Sequence, residues 1–243
     1  AKLLQNISDA LKGKVVGYTA VVGGLFIASD GMARTNTDPP SLKMDPTIPG
    51  NMASVSKTLT AVAVLQLLAK NGLTIDSNIA PYLYSDWSQG PNIGQITFRQ
   101  LLRHRSGIIT DCGGNKTTYA ILKGIVAAGV QATNINQPLY NNCNFAIFRE
   151  LLPALLGQPI NNLADGPVRA NKSADMYITY MNANVFAPVG IPTSACEPAA
   201  GFNIILSYPY PAGSTHGTDW GKWTLSCGGG GWVLSPRDVL LVL

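Results

Sequence analysis

The stretch 54–70 constrains the fold of this chain more than any other. After Lys57 it is apolar on nearly every side, through Leu59, Ala61, Val62, Ala63, Val64, Leu65, Leu67, Leu68 and Ala69. A helix apolar all round belongs at the centre of a core. Asn71-Gly72 follows, the residue types that favour a left-handed stop. The stretch is too short, and too polar in its first turn, to span a membrane. That polar opening carries chemistry. Ser54 and Lys57 are three apart, so a helix puts both on one face. A buried lysine with few polar neighbours tends to lose its proton. A neutral amine beside a hydroxyl at a helix start can act as base for a serine nucleophile. The spacing points to acyl transfer through a serine ester.

Composition narrows the alternatives. With 243 residues the chain can form one large domain or two small lobes. Hydrophobic residues make up 46% and charged residues 12%, which describes a compact globular protein. The net charge of +4 comes without a basic stripe, so nucleic acid is not an expected partner. The apolar stretches are all interrupted, so no membrane span is expected. Ala1-Lys2-Leu3-Leu4-Gln5 opens an amphipathic helix, not a signal peptide, which fits a processed chain as well as a cytoplasmic one. Glu150 and Glu197 are the only glutamates, which disfavours a paired-carboxylate glycosidase. His104 and His216 are the only histidines and there is no Cys-x-x-Cys, so no zinc site is expected. Cys112, Cys143, Cys196 and Cys227 stand singly in expected loops. An even count in loops favours disulfides and an extracytoplasmic location, periplasmic or secreted; four free thiols in a cytosolic enzyme is the alternative.

Along the chain, residues 2–12 read as a helix. Residues 14–22 and 25–28 read as a β-hairpin around Gly23-Gly24. A polar, Pro-rich connection over 35–52 leads to the central helix. Thr97 caps a short helix through His104, stopped near Ser106-Gly107. Residues 117–130 form another helix. Residues 144–156 form a further one, which Pro153 should kink or break in its last turns. Residues 173–186 are helical, ended by Pro188 and Gly190, and 191–231 are loop-rich. Ser235-Pro236-Arg237-Asp238 is a strong helix start, with an N-cap serine, a first-turn proline and an acid.

Several segments together resemble one family. Ala53-Ser54-Val55-Ser56-Lys57-Thr58-Leu59-Thr60-Ala61 looks like the first motif of serine β-lactamases and penicillin-binding proteins, in the class C and related-esterase branch. Leu101-Leu102-Arg103-His104-Arg105-Ser106-Gly107 resembles that branch's Leu-Leu-x-His-Thr-Ser-Gly segment, with Arg105 in place of Thr. Tyr140-Asn141-Asn142 matches its Tyr-x-Asn motif. By itself that tripeptide could equally be a turn before a helix, with Asn142 as cap. Phe186-Ala187-Pro188-Val189-Gly190-Ile191 is similar to its Phe-x-Pro-Leu-Gly-Met turn. Gly230-Gly231-Trp232-Val233-Leu234-Ser235-Pro236-Arg237-Asp238 is similar to its Gly-Gly-x-x-Ser-x-x-Asp segment. The matches run in order from about residue 15 to 243.

The resemblance implies an α/β (α+β) fold, an antiparallel sheet flanked by helices plus a helical lobe. It implies a single β-lactamase-like domain over 1–243: a helix and hairpin over 1–53, a helical lobe over 54–190, and a loop-rich return to the sheet over 191–243. Ser54 would be the acylated nucleophile and Lys57 its base. Tyr140 would shuttle the proton to the leaving group and later activate water, and Asn142 would bind a substrate carbonyl or steer Lys57. The implied activity is serine hydrolysis of a short ester, a β-lactam or a D-amino-acid peptide, with no cofactor and no metal. The other reading is a non-catalytic binding or scaffold protein that keeps the fold. His104 is expected to be structural and His216 a surface loop residue. Gly228 to Gly231 has no following lysine and is not a phosphate loop; it is expected to let backbone approach closely. In the family the segments after Ser-Gly and after Tyr-x-Asn both border the site. Cys112 is therefore paired with Cys143, and Cys196 with Cys227, among three possible pairings. The family's third motif, Lys-Thr-Gly or His-x-Gly, is not found. The chain is read as C-terminally incomplete, with a second polypeptide fragment supplying the remaining strands.

Overall fold

The computed structural model describes residues 2–23, 26–112, 117–211 and 216–243. In chain order the elements are α1 (Lys2–Leu11), β1 (Gly17–Val22), β2 (Phe26–Arg34), β3 (Leu42–Lys43), β4 (Gly50–Asn51), α2 (Ser56–Lys70), α3 (Phe98–Leu102), α4 (Tyr119–Ala128), α5 (Cys143–Ala146), α6 (Phe148–Leu155), α7 (Pro167–Met181), β5 (Val233–Leu234) and α8 (Pro236–Val242). The architecture is α+β, with a small antiparallel sheet and helices. The chain divides into two compact units. One comprises Ala1–Met52, Val189–Lys222 and Trp232–Leu243; the other comprises Ala53–Pro188 and Trp223–Gly231.

In the first unit β1 and β2 form the expected hairpin, in register from Gly17↔Gly31 to Val22↔Phe26. Gly24 and Leu25 of its turn lie outside the described residues. The connection over 35–52 is not wholly irregular. It contributes β3, which pairs with β2, and β4, which pairs with β5. Each is two residues long, too brief for an alternating pattern to show in sequence. Trp232, Leu234, Ala33, Ile204 and Leu206 are buried in this unit. Asp38 ties its loops together. Its carboxylate accepts from the Gly217 N–H at 3.0 Å and the Tyr208 hydroxyl at 2.8 Å, and lies 3.1 Å from His216 Nδ1. His216 is an exposed loop residue, as its Gly/Thr surroundings indicated. At the end of the unit Ser235 and Asp238 form the reciprocal cap expected of their spacing, at 3.1 and 2.9 Å.

In the second unit α2, α6 and α7 pack together. Asn71 is the C-cap of α2, and Gly72 follows at φ +65°, the stop read from sequence. The helix is more one-sided than its composition implies. Leu59, Ala63, Val64, Leu67 and Leu68 are buried, whereas Leu65 is 48% exposed. Five residues recurring at intervals of one, three and four already fill the stripe that faces α6 and α7. The helix expected over 144–156 breaks at Ile147, between α5 and α6, and Pro153 sits inside α6. α6 runs through Pro153 without a break and stops two residues later, at Leu155. α7 starts at Pro167 rather than 173, with proline in its first turn behind Gly166 at φ +93°. Its continuation is a π-helical turn over Asn182–Phe186. Among the described residues no helix is long and apolar enough to cross a membrane.

Candidate active site

All the sequence-derived site residues except Cys196 fall in the second unit. Ala53–Val55 form a single 3₁₀ turn that runs directly into α2. Residues three apart on a helical surface are neighbours. Lys57 therefore lies over Ser54, with Nζ 3.0 Å from Oγ. Ser54 is exposed while Lys57 is only 6% exposed. The Lys57 amine reaches two further oxygens, Asn142 Oδ1 at 2.7 Å and the Gly229 carbonyl at 2.5 Å. Both of those can only accept. They take two of its N–H bonds and leave the third position of the nitrogen facing the Ser54 hydroxyl, which can donate or accept.

Tyr140 completes the group, its hydroxyl 2.5 Å from Ser54 Oγ. The segment 140–144 uses its side chains alternately. Tyr140 and Asn142 turn toward Ser54 and Lys57, whereas Asn141, Cys143 and Asn144 fasten the segment to 104–112. Asn141 Nδ2 donates to the carbonyls of Ile108 and Thr110, and its Oδ1 accepts the Cys143 N–H. Asn144 Oδ1 accepts the Ser106 hydroxyl at 2.5 Å. Cys143 is disulfide-bonded to Cys112 across a Cα separation of 5.5 Å, as the expected pairing has it. Cys196 and Cys227 are disulfide-bonded too, and none of the four is free. Asn142 does stand at the N-cap position of α5, but its side chain makes no cap bond; it is spent on Lys57.

The electrostatics follow from this geometry. Burial works to raise the Tyr140 phenol, but hydrogen bonds with Lys57 and Ser54 and the Lys57 charge outweigh it. The phenol is held below its ordinary value of 10. Lys57 Nζ also lies 4.9 Å from the centre of the Tyr140 ring. His104 is half-buried, and burial and then the Lys57 charge hold its imidazole below its usual pKa.

The glycine run behaves as a close-approach element. A Cβ on Gly228 would sit 2.7 Å from the Phe145 carbonyl oxygen, and one on Gly229 would sit 3.2 Å from that of Asn142. The Gly228 carbonyl accepts from Thr60 Oγ1 at 2.8 Å, so the run is fixed one helical turn beyond Lys57 as well. Asn141, Asn144, Thr60 and the Gly229 carbonyl as a Lys57 acceptor are the contributions that the sequence did not disclose. The density of asparagine in 141–144 was the available signal, since Asn side chains bond nearby backbone so readily.

The sequence profile described as Beta-lactamase matches residues 7–243, and the chain belongs to that family. No curated protein matches it in direct sequence search. Among solved structures it is similar to FmtA from Staphylococcus aureus, with a TM-score of 0.71 at 14% identity over 99% of this chain and 64% of that one. It is also similar to a class C β-lactamase from Rhodobacter sphaeroides, at TM-score 0.66 and 17% identity, over 99% of this chain and 64% of that one. A D-amino acid amidase from Ochrobactrum anthropi SV3 aligns at TM-score 0.67 and 19% identity, over 99% of this chain and 67% of the amidase. At these identities the likeness is one of fold, the β-lactamase and penicillin-binding-protein fold. The chain spans less than two thirds of the first of these relatives.

Proposed function

We propose that this protein is a serine hydrolase that cleaves an ester or amide through an acyl-Ser54 intermediate. The observation that carries the reading is convergence on one oxygen: Lys57 Nζ at 3.0 Å and the Tyr140 hydroxyl at 2.5 Å both reach Ser54 Oγ. Those are hydrogen-bond distances from a nucleophile to its proton acceptors. The Ser54 proton passes to the Lys57–Tyr140 pair as Oγ bonds to the substrate carbonyl carbon. Tyr140 then gives a proton to the leaving amine or alcohol as its bond to carbon breaks. In the second half the same pair takes a proton from water, whose oxygen bonds to the ester carbon, and returns that proton to Ser54 Oγ as the Oγ–carbon bond breaks. The N–H groups of an opening helical turn lack intrahelical partners, so the Ser54 N–H supplies one oxyanion donor. Asn142 holds Lys57 in place.

The substrate class is a short ester, a β-lactam or a D-amino-acid peptide; the class C β-lactamase and the D-amino acid amidase similar in fold support that range. The disulfides support an extracytoplasmic location. Residues 1–243 act as one β-lactamase-like domain, whose sheet further strands complete. Supporting this, β1 is an edge of a three-stranded sheet in the order β1-β2-β3, and among the described residues no strand covers it.

The test is covalent labelling with a fluorescent phosphonate and a fluorescent penicillin, followed by mass measurement. A stoichiometric adduct on Ser54, absent in Ser54→Ala, is the expected result. Ser54→Ala should change stability by no more than about 1 kcal/mol, because the side chain is small and exposed. Turnover or labelling that survives in Ser54→Ala would show the assignment to be wrong. A folded protein that takes neither label would instead support a non-catalytic binding role.

A further inference from the structure

We propose that His104 is the positioning residue of Tyr140, a clamp that holds the phenol over Ser54. The proposal rests on the acyl-Ser54 reading and assigns to that site a residue that touches no reacting atom.

The clamp has three points. The His104 carbonyl accepts the N–H of Leu139, the residue before Tyr140, at 2.9 Å. Its Nδ1 accepts the N–H of Asn141, the residue after Tyr140, at 3.2 Å. Between those anchors the imidazole packs on the phenol itself, with ring centres 4.4 Å apart and planes inclined by 35°. One residue thus grips the chain on both sides of Tyr140 and supports its ring. This placement matters because Tyr140 is 60% exposed and is not fixed by being enclosed. The phenol needs another source of order to stay within reach of Ser54.

The backbone at His104 is set for the purpose. It has φ +53°, in the left-handed region that a residue with a Cβ adopts at a cost. That turn follows α3 and brings both the carbonyl and the ring toward 139–141. Nδ1 is further fixed by Asn144, whose Nδ2 lies 3.3 Å away while its Oδ1 holds the Ser106 hydroxyl. With two donors at Nδ1, the neutral ring carries its proton on Nε2. Phe145 packs against the ring as well, at 5.1 Å between centres. A histidine placed only to terminate a helix would need none of these contacts with Tyr140.

Three variants separate the parts. His104→Gly removes the ring and the Nδ1 acceptor and relaxes the backbone. His104→Ala removes the same groups and retains the strained φ. His104→Asn tolerates the left-handed backbone and offers Oδ1 in place of Nδ1, but lacks the ring. Two readouts are taken on protein shown to be folded by circular dichroism and melting. The first is the phenol titration of Tyr140, read as ultraviolet difference absorbance against a Tyr140→Phe background; it needs no substrate. The second is Ser54 labelling by the fluorescent phosphonate, resolved into a binding constant and a maximal rate. We expect His104→Gly to lower the maximal rate by about 10- to 100-fold with little change in binding, as a misplaced catalytic group does. His104→Asn should recover part of the rate, and the Tyr140 titration should move toward 10 in the Gly and Ala variants. A folded Gly or Asn variant with wild-type titration and wild-type maximal rate would overturn the proposal. If wild-type protein takes no label, the acyl-Ser54 reading fails by itself, and the titration still decides whether His104 holds Tyr140.

Discussion

Two buried cations of the helical unit are treated in opposite ways. Arg149 is fully enclosed and ion-paired at 2.7 Å with Glu150, itself fully enclosed. The other Glu150 oxygen accepts the Tyr84 hydroxyl at 3.0 Å. Lys57 is nearly as deep, but its three partners are an amide oxygen, a carbonyl and a serine hydroxyl, and among the described residues it pairs with no carboxylate. A buried charge ordinarily needs a counter-charge, and a cluster that omits one keeps its cation available to whatever negative charge develops nearby. The Arg149 cluster is closed electrostatically and serves the fold. The Lys57 cluster is open on the side of an exposed serine.

The largest expected effect tests the open cluster. Lys57→Arg makes the positive charge permanent, so position 57 can neither release a proton nor take one back, since guanidinium stays charged at any working pH. Its planar fork also cannot satisfy the amide oxygen and the Gly229 carbonyl from one compact point. Labelling of Ser54 should fall by about 10³- to 10⁴-fold, a proton-transfer effect, read in the maximal rate of phosphonate labelling. Near-wild-type labelling would mean that charge alone suffices at this position.

The closed cluster should respond in stability. Glu150→Gln leaves Arg149 without its counter-ion in a fully enclosed place, which costs about 3 kcal/mol in chemical denaturation. Where the variant remains folded, Ser54 labelling should be unchanged within a factor of about two, because no catalytic group is touched. A variant that lost labelling without losing stability would erase the distinction between the two clusters.

The open cluster was far more legible in the sequence than the closed one. Ser54 and Lys57 are three apart, and that spacing alone foretells their meeting. The Ser235–Asp238 cap was readable for the same reason, as a local rule with a fixed spacing. Tyr140 and Asn142 lie more than eighty residues from Ser54, and only the resemblance of their motif to a family joined them to it. Nothing local marked Arg149-Glu150 as an enclosed pair, because burial of a charged dipeptide depends on helices packed from elsewhere in the chain. The length of α2 was readable but its exposed side was not, since composition reports how much apolar surface there is and not which part the neighbours cover. Gly229 was recognised as a close-approach residue, yet its carbonyl's role as a Lys57 acceptor could not be read, because every residue has a carbonyl.

The smallest expected effect is spectroscopic, and it compares Tyr140 with two tyrosines bonded to carboxylates. Burial, followed by the Glu150 charge and hydrogen bond, drives the Tyr84 phenol far above 10. Burial and the hydrogen bond to Asp165 push Tyr119 up to about 12. Tyr140 goes the other way, because its neighbour is a lysine without a carboxylate. The sign is therefore opposite in the two places: a carboxylate partner opposes a phenolate, and an unpaired ammonium favours one. Raising the pH of the folded protein should ionise Tyr140 before pH 10 while Tyr84 and Tyr119 remain protonated. The Ser54 labelling rate should climb over the same interval and then level, if the phenolate is the form that accepts the proton. Tyr140→Phe should remove the early absorbance step and flatten that limb of the rate profile. A rate limb that persists in Tyr140→Phe would move the proton acceptor from Tyr140 to Lys57. An early step assigned to Tyr84 would mean that the closed cluster is not closed.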